Sequence, residues 1–212
     1  INAIGQLLDF ASTEEVEKYF KTIFSDFIAL VPNLYEQWNT NPTSALGIVR
    51  TYPWHINDTA LLIGDAAHAT VPFYGQGMNA GFEDIYVLDQ LIQEFGDDWE
   101  RIFTTYQEKR KPNADAIAEL SYRNFIEMSS KTADANFLLQ KKIEKHFSTK
   151  HPEKWIPAYS RVTFSNRPYA EALAEGDAQE EIMKEVMKIS NIAENWDSLE
   201  VENLMLKLLS GS

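Results

Sequence analysis

The chain has 212 residues, 44% hydrophobic and 12% aromatic, which is enough to bury a real core in roughly one or two domains. Its formal net charge of −13 argues against a nucleic-acid groove or an anionic membrane surface as partner, since both attract basic patches. The absence of cysteine excludes a disulfide framework, a thiolate metal site and a cysteine nucleophile, and no apolar run reaches the roughly 18 residues of a membrane span, a pattern compatible with the cytoplasm.

Ser12-Thr13-Glu14-Glu15 reads as an N-cap with an acidic first turn. Val16, Phe20, Ile23, Phe27 and Leu30 follow at helical spacing, predicting an amphipathic helix over 12–30 that ends near Pro32. Residues 45–54 favour a strand by their Val, Ile and Tyr content, and Asn57-Asp58-Thr59 forms a turn into a second strand over 60–63. Such strands must pair with something outside the sequence or form a minimal hairpin that carries the helices. From Met78, the positions Phe82, Ile85, Leu88, Leu91 and Phe95 predict a helix ending at Gly96. Asp97-Asp98 starts the next, which Pro112 ends or kinks before periodicity returns over 114–128. A helix through Phe137 to Phe147, an extended piece over 161–164, helices over 169–175 and 179–189, and an apolar stripe over 199–209 complete the chain.

The stretch that joins the second strand to the Met78 helix concentrates the chemistry. Gly64 permits a sharp turn off the strand, and Asp65 then presents a carboxylate at the strand's carboxyl end, where open α/β sheets hold ligands and where a sugar hydroxyl is a natural partner. Gly75 and Gly77 let backbone N–H groups near a helix start approach a flat or anionic ligand, with the helix dipole favouring negative charge. Pro72 fixes the loop before them, and Phe73 and Tyr74 put aromatic surface beside it. The competing reading is a plain strand-to-helix connection in which Asp65 caps a turn. His55, His68, His146 and His151 lack metal-ligand spacing, and no Gly-x-Ser-x-Gly elbow accompanies Asp65 and His68, so His68 is expected to set the loop by hydrogen bonding. Along the 114–128 helix, Ile117, Ser121, Asn124 and Met128 share one stripe. Asn124 there is either a ligand for something in the core or an amide satisfied by a neighbouring backbone.

Gly64-Asp65-Ala-Ala-His68, followed by Pro72-Phe73-Tyr74-Gly75-Gln76-Gly77-Met78-Asn79-Ala-Gly81 and Glu83-Asp84, resembles the second flavin-binding motif of the FAD-dependent aromatic hydroxylases. The resemblance implies that Asp65 binds the ribityl chain and that the backbone from Gly75 through Gln76, Gly77 and Met78 to Asn79 lies along the isoalloxazine ring. Beyond that motif, Arg123-Asn124-Phe125-Ile126-Glu127-Met128, Trp155 to Phe164 and Pro168-Tyr169 look like the kynurenine 3-monooxygenase family, a likeness covering about residues 45–175. In that family the residues matching Asn124 and Tyr159 bind the amino-acid end of kynurenine. Those matching Pro72, Phe73, Tyr74 and Met128 line the aromatic side, and Glu127 sits nearby.

The implied cofactor is FAD with NADPH as co-substrate, and the implied small-molecule partner is kynurenine. The expected fold is an α+β fragment, mainly helical, with two or more strands. Residues 1–96 would be the later part of the FAD/substrate domain and 97–212 a C-terminal helical domain. The missing Met start and the absence of a Gly-x-Gly-x-x-Gly after a strand suggest a C-terminal piece whose nucleotide-binding half lies upstream. Eukaryotic relatives carry a C-terminal membrane anchor, which the acidic, amphipathic end from Gln179 to Leu209 does not resemble. The alternatives are a hydroxylase of another aromatic acid and a non-catalytic helical interaction module.

Overall fold

Short polar side chains set four of the helix starts. Oγ of Ser12 accepts from Glu15 N, Oδ1 of Asp98 from Arg101 N, Oδ1 of Asp134 from Phe137 N, and Oγ of Ser198 from Val201 N. Each satisfies a donor that the first helical turn leaves without a partner, which is worth about 0.5–2 kcal/mol. The computed structural model describes residues 12–42 and 44–211. The chain divides into two units, 1–46 and 47–212.

In the first unit, α1 (Thr13–Ile23), α2 (Ser25–Leu30) and α3 (Leu34–Thr40) enclose Val16, Phe20 and Leu34. The single helix expected over 12–30 is broken at Phe24, whose backbone leaves the helical region (φ −131°, ψ 49°). Phe20 meets the Trp38 ring edge-on at 5.7 Å and stacks on Phe27 at 6.2 Å, and such aromatic packing offsets the broken turn.

The second unit begins with β1 (His55–Ile56) and β2 (Ala60–Leu61), an antiparallel pair with His55 opposite Leu61 and Ile56 opposite Ala60. This is the minimal hairpin. The strand expected over 45–54 is not formed: the segment is extended, but Val49 N donates to Ala69 O and Thr51 N to Ala67 O, partners in a helical turn and its exit. Its β-favouring side chains set the backbone conformation, yet no neighbouring strand among the described residues completes a ladder.

A short turn, α4 (Asp65–His68), leads to α5 (Gly77–Phe95), α6 (Trp99–Ile126) and a π-helical turn (Glu127–Lys131). Then come α7 (Ala135–Lys150), α8 (Ala158–Phe164), α9 (Tyr169–Val186), α10 (Ile192–Asn195) and α11 (Leu199–Ser210). Pro112 neither ends nor interrupts α6. A proline there leaves the carbonyl four residues earlier without its helical donor, but Tyr106, Arg110, Ala114 and Ile117 are buried on both sides of it and hold the helix in place. The extended piece expected over 161–164 is helical, because Val162 is buried against Ile117, Leu120 and Tyr169, and burial outweighs its β propensity. The helices expected over 169–175 and 179–189 are one, α9.

Small residues let these helices approach. Ala80 of α5, Ala116 of α6 and Ala172 of α9 share one buried cluster with Ile117 and Leu120. A second cluster joins Trp54, Leu91, Ile102 and Tyr106, and a third, formed by Ile143, Phe147, Trp155, Met183 and Met205, closes the C-terminal helices. The expected 96/97 boundary falls in the turn between α5 and α6, which pack on each other. Among the described residues no helix is long and apolar enough to cross a membrane.

Candidate cofactor and substrate site

Beyond β2 the chain turns at Gly64, whose φ of 59° and ψ of −142° an L side chain rarely adopts. The turn leaves Asp65 exposed at the rim of a cleft of about 680 Å³. Gly64, Asp65, Pro72, Gly75, Gly77 and Met78, all singled out from sequence, line this cleft together with Thr70 and Phe82. Met78 and Phe82 are 71% and 66% exposed, so its helical wall offers apolar surface.

Gly77 is informative because the protein's own packing does not require it. Its φ is not positive, and a Cβ there would meet only the Thr70 methyl, at an ordinary 3.7 Å. A glycine with neither conformational nor steric need, at a helix start facing a cleft, fits a flat group laid against the backbone. The α5 start also lacks a side-chain cap, unlike those of α6, α7 and α11, and leaves its first N–H groups to other partners. The residues present therefore fit the ring of a flavin. Gln76 and Asn79, also singled out from sequence, are not among the lining residues. Gln76 is buried, and its Oε1 accepts from Asn79 Nδ2 at 2.8 Å and from the Tyr169 hydroxyl at 3.4 Å.

The second cleft, of about 490 Å³, lies where α6, the π turn, α7, α8 and α9 converge. Tyr74, Asn124, Glu127 and Tyr159 line it, with Leu120, Phe137 and Leu173 as apolar wall and Arg123 at its edge. The Tyr74 and Tyr159 rings are 5.5 Å apart. Burial, then the Glu127 charge, then Tyr159 push the Tyr74 phenol up to about 12, so it remains a neutral donor near neutrality. Phe73 and Met128 stand beside this cleft rather than in its lining: Phe73 packs on Phe125 at 4.8 Å, and Met128 Sδ is 3.7 Å from Asn124 Nδ2.

Asn124 is tied to backbone, one of the two outcomes its helix position allowed: Nδ2 donates to Phe73 O at 2.7 Å. It lines the cleft as well. Pro72 faces one cleft and Tyr74 the other, so a loop three residues wide separates them.

A third group joins Gly64, His68, Glu83 and Asp84, all within the motif that carries the flavin resemblance, to Arg110, which carried no expectation from sequence. Asp84 of α5 is fully buried and its carboxylate takes three hydrogen bonds: from Gly64 N at 2.9 Å, His68 Nε2 at 2.6 Å and Arg110 Nε at 2.7 Å. Arg110 also donates to Glu83 at 2.9 Å and to Ala80 O at 3.1 Å. Burial alone would raise the Asp84 pKa, but the hydrogen bonds and charges of His68 and Arg110 prevail and hold it below the usual carboxylate value. The signal was present in the sequence. Arg110 lies four residues after Tyr106 and four before Ala114, a charge inside a buried stripe.

Comparison with known proteins agrees with this geometry. A family described as "FAD binding domain" matches residues 43–121. Among curated relatives, the kynurenine 3-monooxygenase of Flavobacterium johnsoniae is 64% identical over 194 residues, 92% of this chain and 44% of the relative. Those of Flavobacterium psychrophilum and Christiangramia forsetii are 58% and 56% identical, over 93% and 92% of this chain and 44% of each relative. The chain thus spans less than half the length of the curated relatives it matches.

Proposed function

We propose that the chain is part of a kynurenine 3-monooxygenase, spanning 44% of the Flavobacterium johnsoniae relative, and that it forms one wall of the flavin site and most of the substrate cleft of an FAD- and NADPH-dependent monooxygenase converting L-kynurenine to 3-hydroxykynurenine. One observation carries this reading: Pro72 and Tyr74, two residues apart, line a glycine-walled cleft and an aromatic, polar cleft respectively.

Bound FAD would supply the redox chemistry, drawing electrons from NADPH and activating O2. Gly75, Gly77 and the uncapped start of α5 would lie against its ring and favour negative charge there, and Asp65 would take a ribityl hydroxyl. The remainder of the protein would hold the adenosine end. Tyr74, Leu120, Phe137 and Leu173 would enclose the substrate ring and exclude water. Tyr159 can donate to the substrate carboxylate. The N–H groups of Asn124 point at Phe73 O and Met128 Sδ, so its Oδ1 is the atom left to accept from the substrate ammonium.

The test is NADPH oxidation by the whole protein, stimulated by kynurenine, with the hydroxylated product identified. Equal stimulation by another aromatic acid, and none by kynurenine, would assign a different substrate. A whole protein that retains no flavin would leave the interaction-module reading.

A further inference from the structure

We infer that Asp84, held between His68 and Arg110, is the positioning residue of the cofactor site: it fixes the Gly64 N–H and so aims Asp65 and the rim of the glycine-walled cleft. The inference rests on the flavin reading above. Asp84 lines neither cleft, and it is a carboxylate buried within a helix–helix contact, where an apolar side chain would pack with no desolvation cost. Its placement explains the residue type. Oδ2 receives both Gly64 N and His68 Nε2, the two ends of the turn that presents Asp65. Oδ1 receives Arg110 Nε from the helix that later carries Asn124. Arg110 in turn spans Glu83 and the Ala80 carbonyl, fixing the first turns of α5 to α6. His68 is held from its other side by the Trp54 ring at 5.3 Å. The Gly64 conformation is one that glycine adopts and L side chains rarely do, and Asp84 Oδ2 accepts its N–H and so selects it among those open to glycine.

The experiment uses the whole protein, with Asp84→Asn, Arg110→Lys and, as a stability control in the C-terminal cluster, Ile182→Ala. Three quantities are read: the FAD dissociation constant by fluorescence quenching, the visible circular dichroism of the bound flavin, and the melting temperature of the flavin-free protein. Asp84→Asn turns one acceptor into a donor facing donors. Weakening of FAD binding by about tenfold or more is expected, the scale on which outer-sphere partners act at metal sites, with altered flavin dichroism. Ile182→Ala should lower the melting temperature and leave both flavin readouts as in wild type.

Flavin changes in Asp84→Asn no larger than in an equally destabilised Ile182→Ala would overturn the inference, leaving Asp84 a structural residue only. Should Asp84→Asn not fold, Arg110→Lys decides. It keeps the charge but loses the shared fork, and wild-type flavin affinity in it would also overturn the inference. Absence of FAD binding in the wild type is a different result, which defeats the flavin reading itself.

Discussion

The side chain of Asn124 donates to the carbonyl oxygen of Phe73 at 2.7 Å, joining the end of the long helix α6 to the loop that separates the two clefts. A residue that served only a ligand could be changed without affecting the fold. Asn124→Ala is instead expected to cost about 1 kcal/mol of stability, and Asn124→Asp about 1–3 kcal/mol, because it faces the Phe73 carbonyl with a second acceptor. Urea denaturation of the flavin-free protein measures both. In the loaded enzyme, Asn124→Asp keeps an acceptor for an ammonium group and should bind substrate better than Asn124→Ala. The reverse order would mean that the amide N–H, not Oδ1, faces the substrate.

Gly77→Ala separates stability from binding in the opposite direction. Alanine is the better helix former by up to about 1 kcal/mol, and its methyl would touch only Thr70 at a normal distance. The variant should melt at or above the wild-type temperature. Its FAD dissociation constant should nonetheless rise about tenfold or more, because the methyl holds the flavin ring off the backbone and opens a gap between them. Unchanged affinity would show that nothing lies against the backbone at that point.

Asp84 predicts a pH dependence whose sign follows from its lowered pKa. The folded state holds the carboxylate more tightly than the ordinary value of 3.8, so its contribution is fully present above that pH and is lost as pH falls through the lower, folded value. The stability difference between wild type and Asp84→Asn should therefore shrink as pH falls below about 4. Above pH 5 the variant should be less stable, by less than the about 3–5 kcal/mol of a buried charge left alone, because the Arg110 guanidinium loses Asp84 but keeps the half-exposed Glu83 carboxylate. Urea titrations between those limits measure it, and a difference that grows on acidification would contradict the assignment.

Local signals in the sequence located what local forces build. The caps at Ser12 and Asp98, the helix stop at Gly96 and the Gly64 turn depend on a few neighbouring residues, and all stand where the side-chain chemistry puts them. Resemblance singled out Asp65, Gly75 and Gly77, which line the first cleft, together with Gln76, Asn79, Phe73 and Met128, which line neither. What could not be read depends on distant partners. Residues 45–54 have β-forming side chains, but a ladder needs a neighbouring strand; Pro112 carries a local stop signal that packing on both sides overrides. The Asp84–Arg110 pair joins residues 26 apart, and nothing in either one's immediate neighbourhood identifies the other. Whether Asn124 met a backbone or a ligand likewise depended on Phe73, 51 residues earlier.

Tyr74 and Glu127 provide a direct readout of the second cleft. The Tyr74 phenol is pushed up to about 12 by burial first and by the Glu127 carboxylate second. Removing that negative charge makes the phenolate easier to form, so Glu127→Gln should lower the Tyr74 pKa, by less than burial raises it. The ionisation is isolated as the ultraviolet phenolate absorbance of wild type minus that of Tyr74→Phe, recorded after a rapid pH jump and before the protein unfolds. An aromatic ligand that fills the cleft and displaces water should shift the same titration upward, since desolvation is the leading cause. A Tyr74 that titrates near the ordinary 10.0, or that ignores Glu127→Gln, would place the two side chains in water rather than in a shared, partly dry cleft.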